Sequence, residues 1–188
     1  MTNPTTLDTK RLRLRQWKDS DLAVFAKMNA DPAVMKYYPA TLSEHDSHAL
    51  AGKLKALISL QSWGLWAVEI KASGEFIGFV GLNKPTYDLP VTPCVEIGWR
   101  LATSFWGEGY ATEAAIEVLN FAFKILNLPE VYSFTSVINL PSRAVMERLN
   151  MINVNRNFNH PIIPNNHVLK EHVLYKVTAH QWISKAGE

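Results

Sequence analysis

A chain of 188 residues with 47% apolar content is long enough to close one core, burying about 70% of the surface its unfolded form exposes. A net charge of +2 argues against the concentrated basic face of a nucleic-acid binder, and no run approaches the roughly 20 apolar residues of a membrane span. The single cysteine, Cys94, rules out an internal disulfide and suits the reducing cytoplasm, and residues 1–10 are polar, without the apolar run of a signal peptide.

In chain order, Leu12 and Leu14 alternate with Arg11, Arg13 and Arg15, which predicts a half-buried strand with its arginine face in solvent. Asp19 or Ser20 is placed to cap a short helix ending near Met28, and Asp31-Pro32 breaks the chain behind it. Ser43, with Asp46 three residues on, resembles a capping box and opens a helix to about Leu60. Residues 63–71 and 75–83 read as strands joined at Ala72-Ser73-Gly74, a hairpin-sized connection. Trp17, Trp63 and Trp66 are assigned to the core or a cleft wall. A proline-marked loop over 84–93 leads to a strand at 95–101, then a helix from about Gly109 to Leu126 that Leu128-Pro129 ends. A strand at 131–137 precedes Asn139, a helix N-cap with Pro141 in the first turn, and that helix runs to about Leu149. Strands near 152–158 and 171–178 close the chain, with a long polar loop from Asn159 to Asn166 between them. Neither a repeat nor a linker divides the sequence, so residues 1–188 read as one domain.

The densest signal is Trp106-Gly107-Glu108-Gly109-Tyr110-Ala111-Thr112-Glu113-Ala114-Ala115, directly after the strand-like run at 94–101. Two glycines allow a ligand close to the backbone, and the segment behind them, through Leu119 and Phe123, has the period of a buried helix. Strand, glycine turn and helix N-terminus together make an anion site, because first-turn N–H groups lack intrahelical acceptors and the helix dipole adds about half a positive charge. A dinucleotide fingerprint needs a third glycine where Thr112 stands, and the Gly-Lys-Ser/Thr of a P-loop does not occur.

The wider window, Val95-Glu96-Ile97-Gly98-Trp99 followed by residues 106–114, closely resembles the acetyl-CoA motif of GCN5-related N-acetyltransferases. Within that superfamily it is similar to the ribosomal-protein-alanine acetyltransferase (RimJ/RimL-like) branch. In the superfamily pattern Gln/Arg-x-x-Gly-x-Gly/Ala, the positions fall on Trp106, Gly109 and Ala111, with Trp106 departing from Gln/Arg. The resemblance extends to residues 9–15 followed by Asp19 and Asp21, to residues 77–82, to Asn139-Leu140-Pro141-Ser142 and the helix behind it, and to His172-Val173-Leu174-Tyr175. Asn150 stands where the family mostly has glycine, and asparagine tolerates the left-handed conformation of a helix stop.

The resemblance implies an α/β fold: a single GNAT-like domain with a mixed, largely antiparallel twisted sheet flanked by helices, splayed between the strands near 95–101 and 131–137. It implies acetyl-CoA as cosubstrate, with Trp106 among the cofactor-binding residues and the pyrophosphate held by Gly107 and Gly109 with the backbone of Glu108, Tyr110, Ala111 and Thr112, which otherwise form an ordinary strand-to-helix turn. Ile97, Trp99 and Leu101 are placed to run beside pantetheine, with Asn139 as a further hydrogen-bonding partner or a pure N-cap. Acetyl transfer needs a neutral amine and a protonated leaving thiolate. Glu96, within an apolar strand, is the candidate general base through water, or else an outward residue of a half-exposed strand. Ser142 is the candidate acid for the thiolate, or else ordinary helix-start chemistry, and Tyr110 and Tyr175 compete for the same role. Arg100 and Arg143 either meet phosphates or face solvent. His160, His167 and His172 lack a metal-binding spacing, so no metal is expected, and they are candidates for acceptor recognition.

The expected activity is direct transfer of acetyl from coenzyme A to a primary amine, in first place a protein or peptide N-terminal α-amine. A small-molecule amine (amino acid, polyamine or antibiotic) and a non-catalytic acyl-CoA sensor are the alternatives. The partners expected are acetyl-CoA and the amine acceptor, with no nucleic acid and no membrane, in a cytoplasmic monomer or homodimer.

Overall fold

The computed structural model describes residues 4–185, so the ends of the expected 1–188 domain and of its polar opening segment lie outside the described residues. The chain forms a mixed, mostly antiparallel sheet arrangement flanked by helices, an α/β fold. By contacts it divides into two compact units, Met1–Leu82 with Gly98–Glu117, and Asn83–Ile97 with Val118–Glu188.

In the first unit, β1 (Leu7–Asp8), β2 (Leu12–Arg15), β3 (Leu65–Ile70) and β4 (Phe76–Asn83, whose last residue belongs to the second unit) are antiparallel neighbours in that order. α1 (Leu22–Ala30) and α2 (Glu44–Gln61) pack together beside them. The cap expected for α2 is present: Ser43 Oγ accepts from the Asp46 N–H at 3.1 Å. A core of Trp17, Phe25, Phe76 and Phe79, with ring centroids 4.8–6.4 Å apart, sits with the fully buried Trp66. Trp63 is buried as well.

Two expectations need correction in this unit. Leu12 and Leu14 are buried as the alternation predicts, and Arg13 is exposed, but Arg15 is only 7% exposed rather than in solvent. Asp21 accepts from its Nη1 and Nη2 at 2.8 and 2.9 Å, and Glu69 accepts from its Nε at 2.6 Å. A guanidinium leaves water at tolerable cost only when carboxylates replace it, and here two do. Neither Asp19 nor Ser20 caps α1: Asp19–Asp21 forms a short 3-10 turn, and the Asp21 carboxylate is taken by Arg15 and the Lys18 N–H.

β5 (Glu96–Leu101) and α3 (Tyr110–Lys124) cross the division between the units along the chain. The second unit contains β6 (Glu130–Ser136), α4 (Leu140–Arg148), β7 (Ile152–Asn153), β8 (Phe158–Asn159), β9 (Glu171–Thr178) and α5 (Ala179–Lys185). β9 runs antiparallel to β6, with Val131 opposite Val177 and Phe134 opposite Leu174. β5 pairs with β6 in parallel at Glu96 opposite Tyr132, the start of the strand pair expected to splay. Asn150 takes the left-handed conformation expected of it, at φ 57°. The single strand expected near 152–158 is instead two short ones, β7 and β8, both paired to β9 and separated by a turn in which Asn155 has φ 56°. β1 and α5 were not anticipated. No described helix is long and apolar enough to cross a membrane.

Candidate active site

The glycine loop is built from β5 outward. Leu101, the last residue of β5, is buried, and its carbonyl accepts from Trp106 Nε1 at 2.8 Å, which ties the half-exposed indole back to the strand it follows. Gly107 and Gly109 then take φ values of 81° and 77°, in the region that side chains rarely adopt. A Cβ added at Gly107 would meet nothing within 4 Å among the described residues, and one at Gly109 only the Arg11 Nη2, at 3.7 Å. The loop is therefore open on that side, with room for a ligand beside its backbone. Glu108 is exposed, while Tyr110, Ala111 and Thr112, half-buried, form the first turn of α3, whose N–H groups lack intrahelical acceptors. An open left-handed turn before a helix start of 15 residues fits a pyrophosphate. Trp99, two residues before Leu101 on the same face of β5, is half-buried.

Two residues of this loop's surroundings escaped the sequence reading. Glu113, in the first turn of α3, accepts from the Arg11 Nε at 2.6 Å, the Arg11 N–H at 2.8 Å and the Thr9 hydroxyl at 2.6 Å. Arg11 Nη2 also donates to the Glu108 carbonyl at 3.0 Å, and its guanidinium lies 4.4 Å from the centre of the Tyr110 ring. Burial alone would push the Glu113 carboxyl up, but the bonds from Thr9 and Arg11 hold it below its ordinary value. Glu113 at a helix start was the available signal; its partner lay 102 residues away in sequence.

In the second unit, Glu96 opens β5. Its Oε1 accepts from the Asn83 amide at 2.7 Å. Burial pushes its carboxyl up to about 7, against the smaller opposing pull of the Asn83 hydrogen bond. By accessibility Glu96 is half-buried. Asn83 was missed too, although a polar side chain ending the apolar run 76–82 was its signal. Ile97 next to Glu96 is buried, and its carbonyl accepts from the Ser133 hydroxyl at 3.0 Å, so this acceptor is already engaged.

Asn139 and Ser142 come together at the start of α4. Asn139 Oδ1 accepts from the Ser142 N–H at 3.3 Å, and its amide donates to Thr135 Oγ1 at 2.8 Å and to Ser142 Oγ at 3.1 Å. Asn139 is thus the N-cap of α4, with both amide hydrogens engaged and Oδ1 accepting one bond. Ser142 accepts through its oxygen and keeps its own proton for a further acceptor. Among the described residues no hydrogen bond joins Ser142 to Glu96. Of the competing tyrosines, Tyr175 is buried and its hydroxyl donates to Glu147 at 3.1 Å, while the Tyr110 ring is covered by Arg11. Neither Arg100 nor Arg143 simply faces solvent. Arg100 donates to Asn29 at 2.7 Å and stacks on Tyr38 at 4.0 Å, and Arg143 donates to the Val137 carbonyl at 3.1 Å. His160 and His172 are buried with ring centres 4.7 Å apart, and His160 Nε2 lies 3.3 Å from the Tyr87 hydroxyl. Burial, with the neighbouring His160, lowers His172 to about 4, so it is neutral at pH 7.

The family model for the acetyltransferase (GNAT) domain matches residues 11–152. The chain is 32% identical over 185 residues to the FsC-acetyl coenzyme A-N(2)-transacetylase of Aspergillus fumigatus, covering 95% of this chain and 78% of that one. Its fold is similar to that of a GNAT-family acetyltransferase from Bacillus anthracis, at 22% identity and TM-score 0.77, covering 94% of this chain and 99% of that one. It is also similar in fold to Mycobacterium smegmatis RimJ in complex with CoA-disulfide, at 19% identity and TM-score 0.74, covering 97% and 95% of the two chains.

Proposed function

The chain belongs to the GNAT family and is an acetyl-CoA-dependent N-acetyltransferase, and from that premise we propose that its acceptor is the α-amine of a protein or peptide N-terminus, as in the RimJ/RimL-like branch. The observation that carries this reading is Glu96, a largely desolvated carboxyl whose proton affinity sits at about 7. An α-amine of pKa about 7.7–8.0 needs roughly 1–1.4 kcal/mol to become neutral at pH 7, and a lysine at about 10.4 needs roughly 4.6. A base titrating near 7, acting through water, is matched to the first and poorly to the second.

In this reading the amine nitrogen attacks the thioester carbonyl. The C–N bond forms, the C–S bond breaks, and the amine proton passes through water to Glu96; the Ser142 hydroxyl gives its proton to the departing thiolate while taking one from water, and Glu96 returns its proton to solvent to close the cycle. Residues 106–112 are assigned to the pyrophosphate through their backbone N–H groups, Ile97, Trp99 and Leu101 to pantetheine, and Asn139 holds Ser142 at the start of α4. The whole chain acts as one N-acetyltransferase domain in the cytoplasm, which its lone Cys94 supports.

A second reading, a small-molecule amine acceptor, draws on the 32% identical relative, whose name specifies an N(2)-transacetylase. The sensor alternative falls with membership of an N-acetyltransferase family. Two matched peptides separate the acceptors, one with a free N-terminus and no lysine, the other N-blocked with one lysine. Faster release of free thiol with the first is expected. Faster acetylation of the blocked lysine peptide, or turnover confined to small amines, overturns the N-terminal assignment.

A further inference from the structure

Read as a strand, Arg11 belonged to a solvent-facing arginine row. Its side chain, still 40% exposed, also reaches the glycine loop and is fixed there at three points. Nε is held by Glu113 Oε2 at 2.6 Å, Nη2 by the Glu108 carbonyl at 3.0 Å, and its face by the Tyr110 ring at 4.4 Å. These contacts bracket the left-handed Gly109, whose nearest neighbour on the open side is Arg11 Nη2. Fixing the Glu108 carbonyl on one side of that turn sets the orientation of the following peptide groups.

Glu113 adds an electrostatic reason. A carboxylate in the first turn of a helix interacts well with the dipole, yet it opposes any anion arriving at the same helix start. Both of its oxygens are occupied by Arg11 and Thr9, so the cation cancels the charge while the helix start keeps its unpaired N–H groups.

We infer that Arg11 is a positioning residue for acetyl-CoA: it holds residues 108–110 in their ligand-ready form and neutralises Glu113 beside the pyrophosphate. The inference rests on the reading of residues 106–112 as the pyrophosphate site. It concerns only that part of the cosubstrate, so Arg11 should matter for acetyl-CoA and not for S-acetylpantetheine, which carries the same thioester without the pyrophosphate.

The test compares steady-state kinetics of wild type, Arg11→Gln, Arg11→Lys and the double variant Arg11→Gln/Glu113→Gln on both thioesters. Arg11→Gln is expected to raise KM for acetyl-CoA about tenfold, the scale of one lost charge-assisted hydrogen bond, with kcat within about twofold. Its kcat/KM for S-acetylpantetheine stays at the wild-type value. Arg11→Lys, which keeps the charge and not the fork, falls between, and adding Glu113→Gln to Arg11→Gln recovers part of the loss. If Arg11→Gln does not fold, the Lys variant carries the same comparison. An equal loss on the two thioesters overturns the inference, as does an unchanged KM for acetyl-CoA. Calorimetry on Gly109→Val keeps the two ideas apart, because a folded Gly109→Val with unaltered acetyl-CoA affinity defeats the pyrophosphate reading itself. Weakened binding there, alongside an unaffected Arg11→Gln, defeats only the role of Arg11.

Discussion

Glu69 on β3 and Glu96 on β5 are both strand carboxylates withdrawn from water, and their surroundings send them in opposite directions. Burial pushes the Glu69 carboxyl up, but hydrogen bonds from Lys18 Nζ at 2.9 Å and Arg15 Nε at 2.6 Å hold it below its ordinary value. Burial pushes Glu96 up as well, and among the described residues the hydrogen bond opposing it comes from a neutral amide, so its carboxyl titrates at about 7. The charge of the partners, together with the deeper desolvation of Glu96, separates a structural group held ionised at neutral pH from one poised to exchange a proton near neutrality.

The sharpest way to break that contrast is to remove the proton acceptor. Glu96→Gln is expected to lower kcat/KM by about 10²–10⁴-fold, the usual range for general acid–base catalysis. Ionisation of the α-amine at about 7.7–8.0 gives both proteins an acid limb in kcat/KM, and the wild type should carry a further tenfold fall per pH unit below about 7 that the variant lacks. Stability moves the other way. The folded state raises this pKa above the unfolded value of about 4.3, so the contribution is complete below that value and is lost as pH rises through about 7. Glu96→Gln should therefore lose less stability than wild type as pH rises from about 4.3 to about 7, and the two should run parallel above that. A profile unaltered by the substitution returns Glu96 to a structural role.

Next in size is Glu69→Ala, which strips one carboxylate from a buried Arg15 and should cost about 3–5 kcal/mol in denaturant unfolding, toward the lower end because Asp21 remains. Glu69 has a depressed pKa, so its stabilisation is present above the unfolded value and is lost as pH falls through the folded one. The wild-type advantage over Glu69→Ala should shrink in acid, opposite in sign to the Glu96 effect. Ser142→Ala tests the return of the proton: kcat should drop about tenfold to a hundredfold with acetyl-CoA affinity unchanged, and an unaltered kcat would leave Ser142 as a helix-start residue.

Local patterns carried much of this fold. The Ser43 cap, the break at Asp31-Pro32, the alternation in β2, the Asn139 cap and the left-handed Asn150 each follow from residues within a few positions of one another. The candidate site was legible to the same extent, since Glu96 and the 106–112 loop announce themselves within one short window. What was hidden is long-range pairing. Arg15 is buried because of Glu69, 54 residues on, and Arg11 grips Glu113, 102 residues on, so an alternating strand could only suggest solvent for both. The split of one expected strand into β7 and β8 turns on Asn155 at positive φ, which asparagine permits without requiring.

The smallest expected effect concerns Asn83, whose amide is the one group drawing the Glu96 carboxyl back toward its ordinary range. Asn83→Leu removes that donor and keeps the site apolar, so the ionised form of Glu96 loses its hydrogen bond and its pKa rises above about 7. A neutral donor to a carboxylate contributes on the order of 1 kcal/mol, and one pKa unit corresponds to about 1.4. The part of the acid limb that Glu96 sets should therefore move up by somewhat less than one unit. At pH 7 kcat/KM falls a few-fold, and well above the shifted pKa it returns to the wild-type plateau, because the base is then ionised in both proteins. A pH profile measured on both distinguishes this from simple damage to the site, which lowers the plateau as well. A limb that stays in place, or moves toward acid, would show that Asn83 does not set the proton affinity of Glu96, and the contrast with Glu69 would then rest on burial alone.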